Sequence, residues 1–244
     1  MTLKSGLMGS LAACSLIMTA RVFAECASPS LSDDFGFSVC KDWPAYPGLT
    51  LTATSQHETN PSFDSSGRDG IYDLSLAVVS GSESRPQASF HQASAFVSDA
   101  FGMEDLQLDT ARYTLTPELR AFGIRIRFSG SSRANPMAET WLSLYVKEGN
   151  QLRPVLDRLI TEAESGEWDT NCAGERYNTV RTVEIGKTSS HGFADLIVKS
   201  VTTSIIGKGE GEACESTSIT AKPALTTLRY NGKAYVLPQG FKGV

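Results

Sequence analysis

Between residues 121 and 128 the chain reads Ala-Phe-Gly-Ile-Arg-Ile-Arg-Phe. Phe122, Ile124, Ile126 and Phe128 recur with a period of two, and Arg125 and Arg127 fall between them. Only an extended strand puts alternate side chains on opposite faces, so this stretch must be β, apolar on one side and charged on the other. The same alternation, or a short apolar run rich in β-branched residues, appears at 49–54, 72–79, 88–92, 106–115, 140–146, 179–185, 193–198, 200–206 and 216–220. Turn-forming residues separate these stretches. The reading is an all-β chain of antiparallel sheets built from hairpins, arranged as propeller-like blades or a sandwich. The chain closes on 227–237, where Asn231-Gly232 between alternating runs predicts a hairpin with a type I′ turn.

Two stretches fit a second period. Phe90, Ala93, Phe96 and Val97 match a helical face, as do Leu152, Val155, Leu156, Leu159 and Ile160. For the second, Pro154 and the turn residues 147–150 favour a strand.

The first 24 residues read as a secretory signal peptide. Lys4 supplies a positive charge, 6–20 are nearly all apolar or small, and Val22-Phe-Ala24 fits a cleavage site. The expected location is periplasmic or secreted, with no integral membrane span after cleavage. The full chain carries net charge −5, and losing Lys4 and Arg21 makes it more acidic. That balance argues against nucleic acid as a partner, because phosphate backbones need a basic patch. Cleavage leaves Cys26, Cys40, Cys172 and Cys214, an even count that reads as two disulfides in an exported chain. Their spacing favours Cys26–Cys40 and Cys172–Cys214. Residues 25–48 then form an irregular arm, 49–165 a first β unit, and 166–244 a second unit or a continuation of the first.

Asp69-Gly70-Ile71-Tyr72-Asp73-Leu74 and His191-Gly192-Phe193-Ala194-Asp195-Leu196 share the pattern Gly-x-x-Asp-Leu followed by apolar strand residues. The pattern resembles the FG-GAP and VCBS-type blade repeats of exported bacterial proteins. In those repeats the acidic loop binds Ca²⁺, and the resemblance makes Asp69 and Asp73 the calcium candidates. In the second copy His191 replaces the first acidic residue. The alternative is structural: Gly70 and Gly192 free the backbone, and Asp73 and Asp195 accept hydrogen bonds from their turns.

No catalytic motif stands in its proper context. Ser38-Val-Cys-Lys41 matches Ser-x-x-Lys but lacks the companion elements, and His57, His91 and His191 are scattered. The aromatics Phe122, Phe128, Trp141 and Tyr145 read as core rather than a ligand groove. The expected function is an exported, non-enzymatic binding protein, such as an inhibitor, an immunity factor or an envelope accessory protein. Its partner would be another envelope or secreted protein, met by the loops at 54–70, 129–138 and 207–212. The alternatives are an envelope hydrolase and a structural Ca²⁺-binding module; no other cofactor is expected.

Overall fold

A computed structural model describes residues 26–32, 35–58, 69–80, 85–209 and 213–243. The expected signal peptide lies outside them. The described residues hold thirteen strands in one mostly antiparallel sheet. The first group is β1 (Phe37–Asp42), β2 (Leu49–Ser55), β3 (His57–Glu58), β4 (Gly70–Ser80) and β5 (Ala88–Ser98). The second is β6 (Phe101–Thr114), β7 (Arg120–Gly130), β8 (Met137–Glu148) and β9 (Gln151–Trp168). The third is β10 (Gly174–Ser190), β11 (Phe193–Lys208), β12 (Glu215–Thr220) and β13 (Ala224–Leu228).

Strands β6 to β9 are successive antiparallel neighbours, and so are β9 to β12. The strands β1, β2, β4 and β5 join them through one parallel pair, Ser89 opposite Gln151. The sheet curls without closing: β1 comes back to β6, where Lys41 Nζ donates to the Leu108 carbonyl at 3.2 Å.

Two cores form on this sheet. The first gathers the alternating residues of β2, β4, β6 and β7, including Leu51, Leu74, Leu106 and Ile124. The four aromatics Phe122, Phe128, Trp141 and Tyr145 lie in it, with the Phe128 and Trp141 rings 4.3 Å apart. Trp43 packs edge-on against Phe122 at 5.2 Å. The second core holds Leu142, Leu144 and Val146 with Val155, Leu156, Leu196, Val198, Leu228, Tyr230 and Tyr235. β8 therefore puts Trp141 and Tyr145 into one core and Leu142, Leu144 and Val146 into the other. That is why its sequence is almost continuously apolar. The C-terminal segment covers the second core by bonding along β9: Tyr235 N donates to Val155 O at 2.8 Å and Ile160 N to Phe241 O at 2.8 Å.

Both disulfides have the expected partners, Cys26–Cys40 and Cys172–Cys214. Several local expectations need correction. The arm 25–48 is not wholly irregular, because β1 lies in it and pairs with β2. The alternative given for 166–244, a continuation of the first unit, accords with β9 running through 165 and 166 and with a second core that draws on residues from both sides. Both stretches with helical spacing are strands, as Pro154 and its turn favoured for the second, and both are bulged. Asp73 alone faces residues 93–95 of β5, where Ser94 takes φ 49°, and β9 shifts register repeatedly against β8, with Arg158 at φ 53°. Each bulge moves the apolar phase and so imitates a period near four.

The type I′ turn is misplaced as well. Around Asn231 only Tyr230 and Tyr235 form a bridge, and Asn231 Oδ1 accepts from the amides of Lys233 and Ala234, both at 2.9 Å. This side-chain turn replaces the two-residue hairpin because the buried Tyr230 and Tyr235 fix a longer loop. The two-residue turn with positive φ at both positions is His191-Gly192, at 48° and 86°, between β10 and β11.

Candidate functional site

The outward face of β6 to β9 carries the most developed polar arrangement. The register places Asp105 opposite Arg127, Arg127 opposite Thr140, and Thr140 opposite Glu162. Opposed residues of adjacent strands share a face, so these four form a row across four strands. Gln107 and Arg125 stand opposite one another beside it. Together the six line a cleft of about 250 Å³.

The two arginines are held differently. Arg125 Nε meets Asp109 Oδ2 at 2.8 Å, and its Nη1 donates to Thr161 Oγ1 at 3.0 Å. Thr161 is buried and passes its own proton to the Thr140 carbonyl at 3.0 Å. Asp109 also accepts from the Tyr113 hydroxyl at 2.8 Å and the Ala111 amide at 2.9 Å. Burial acts to raise the Asp109 carboxyl, but the Ala111 amide, the Tyr113 hydroxyl and the Arg125 guanidinium outweigh it and hold the carboxyl below its ordinary range. Burial, followed by the Asp109 charge, pushes the Tyr113 hydroxyl up.

Arg127 is looser. Its Nε lies 3.3 Å from Glu104 and its Nη1 3.9 Å from Glu162, and these side chains are 41 to 53 % exposed. Exposed pairs of this kind contribute about 0–1 kcal/mol, so Arg127 can exchange its partners at little cost. Glu104 also accepts from Ser129 Oγ, Glu162 from Thr140 Oγ1 at 3.1 Å, and Asp105 from Gln107 at 2.5 Å. The result is a braced arginine beside an available one, with carboxylates, an amide and a hydroxyl at fixed spacing. Such a site can exchange hydrogen bonds with a ligand that offers both donors and acceptors.

The residues singled out in the sequence are dispersed. Asp73 does not turn back onto its own turn: its Oδ1 accepts from the Gln56 amide at 2.7 Å, where β2 gives way to β3. Asp195 is buried and accepts from Thr188 Oγ1 at 2.6 Å and Ser190 Oγ at 2.7 Å, and these two hydroxyls lower its carboxyl. One feature is shared. Each aspartate is a single residue facing three on the neighbouring strand, Asp73 against 93–95 and Asp195 against 186–188. Gly70 opens β4 at φ 153°, where a Cβ would come within 2.2 Å of His57 Nε2.

Asp69 lines a cleft with Asp99 and Glu104, and its carbonyl accepts from His57 Nε2 at 3.0 Å. Among the described residues, no three His, Cys, Asp or Glu side chains gather as a metal-ligand set. Residues 59–68, with Asp64, Ser65 and Gly67, lie outside the described residues, as do 210–212 of the third loop. His91 Nδ1 bonds Ser75 Oγ at 2.9 Å, and His191 occupies the turn. Ser38, Cys40 and Lys41 lie on a strand rather than a helix, and Cys40 is in its disulfide.

The alternation at 121–128 does reveal the outward Arg125 and Arg127. The run at 106–115 likewise turns Gln107 and Asp109 away from Leu106 and Leu108. The register that joins these to Thr140 and Glu162 is set by distant strands and leaves no local signal. Among the described residues no helix is long and apolar enough to cross a membrane. No family model, curated protein or solved structure matches the chain.

Proposed function

We propose that this chain is an exported, non-enzymatic binding protein whose outward face on β6 to β9 recognises another envelope or secreted protein. Export is supported by the signal-like segment at 1–24 and agrees with the two disulfides, which persist in oxidising compartments. The observation that carries the reading is the contrast between Arg125, fixed by Asp109 and Thr161, and Arg127, weakly held in the same cleft. A rigid polar frame with one readily recruited cation suits recognition at small ordering cost. The test is affinity capture from envelope extract with wild-type protein and Arg127→Glu. Wild type should retain a defined partner that the variant loses, with the thermal midpoint unchanged. Capture of the same partner by both proteins would contradict the reading.

A further inference from the structure

Where the loop 131–136 meets the end of β9, another cleft of about 310 Å³ opens, with Ser131, Arg133, Pro136, Trp168, Thr170 and Arg176 in its walls. It shares no lining residue with the cleft on β6 to β9. Its walls are held from several sides. Trp168 N donates to Ala134 O at 2.6 Å, which ties the loop to β9. A Cβ on Gly207 would come within 2.6 Å of the Trp168 ring, so glycine there leaves the ring its place. Asp169 Oδ1 accepts from the amides of Asn171 and Cys172 at 2.8 and 2.7 Å, and the Cys172–Cys214 disulfide anchors that turn. The turn keeps Thr170 at φ 67°, a conformation rare for a β-branched residue.

The cleft carries positive charge that the fold does not neutralise. The Arg176 guanidinium lies over the Trp168 ring, 4.8 Å from its centre. Stacking covers the face of a guanidinium and leaves its N–H donors free in the plane. Arg176 Nε is buried without an acceptor among the described residues. Arg125, Arg127, Arg153 and Arg158 each meet a carboxylate, whereas Arg133 and Arg176 meet none among the described residues. No Asp or Glu lines the cleft. The adjoining cleft, which shares Gly130 and Ser131, is acidic through Asp69, Asp99 and Glu104, so an anion is confined to the arginine side.

We propose that this cleft binds a phosphate group, either free or as part of a small phosphate monoester. Arg133 and Arg176 supply two charges that match a dianion, and the hydroxyls of Ser131 and Thr170 supply further donors. A carboxylate, with a single charge, would leave one arginine unmatched. Trp168 and Pro136 give an apolar wall beside the group, where the rest of an ester can lie.

Calorimetric titration of the mature, disulfide-bonded protein tests the proposal, with inorganic phosphate, glycerol phosphate and acetate as probes in a phosphate-free buffer of low ionic strength. One site should take inorganic phosphate or glycerol phosphate, and the tighter of the two identifies the source. Acetate should bind more weakly than either. Arg176→Gln and Arg133→Gln should each weaken phosphate binding at least about tenfold, the scale of a hydrogen bond between charged groups. Arg112→Gln removes an equal charge from an exposed position outside the cleft and should leave binding unchanged. Absence of binding by both phosphate compounds would overturn the proposal, as would acetate binding as tightly or equal weakening by Arg112→Gln. Should Arg176→Gln fail to fold, Arg133→Gln decides, because Arg133 is exposed on its loop. Unchanged phosphate binding in that variant overturns the proposal.

Discussion

At the scale of single residues, Asp109 shows how the polar face is kept rigid. Its carboxyl is lowered in the folded protein, so the unfolded chain binds a proton more readily. The stabilisation is complete above the ordinary carboxylate pKa of about 4 and fades as pH falls through the folded value. Asp109→Asn should therefore cost about 1–3 kcal/mol at neutral pH, the scale of hydrogen bonds to a charged group. The gap from wild type should shrink at pH 3. Urea midpoints at both pH values check this, and a gap of equal size at each would show that the charge is not what matters. The aspartates of the repeated pattern illustrate how far a residue can be read. Their spacing does mark two strand starts, but the partner of Asp73 is Gln56, in the link between β2 and β3 that the pattern does not include.

At the scale of elements, legibility follows the regularity of the strand. β7 could be read directly because nothing breaks its alternation. β5 and β9 gave a mixed signal, since their bulges shift the apolar phase and Ser94 and Arg158 take conformations rare for such residues, although Pro154 and the turn before it did point to a strand. The hairpin prediction at Asn231-Gly232 followed a sound local preference, but the buried Tyr230 and Tyr235 overrode it. β8 gives the sharpest test of the two-core arrangement. Leu144 is fully buried in the second core, on the face of β8 away from Tyr145. Leu144→Ala should cost about 2–5 kcal/mol, because neighbouring strands cannot collapse into the space. Chemical denaturation measures it, and a loss below about 1 kcal/mol would mean that this face is not closely packed.

At the scale of the whole molecule, one sheet serves two cores and carries a polar cleft on β6 to β9. Alternation and turn residues could give the all-β class, and cysteine count with spacing could give the two disulfides. The polar face needed four strands in register, from Asp105 to Glu162, and that information is spread over most of the β6–β9 segment. The account's central claim is that this face, rather than a loop, meets the partner. A photo-reactive amino acid placed at Gln107 tests it most directly in cells that make the protein, with Thr188 as the control position. Irradiation should join Gln107, and not Thr188, to one envelope or secreted protein, and Arg127→Glu should abolish the product. The same product from Thr188, or none from Gln107 while the protein is folded and exported, would contradict the account.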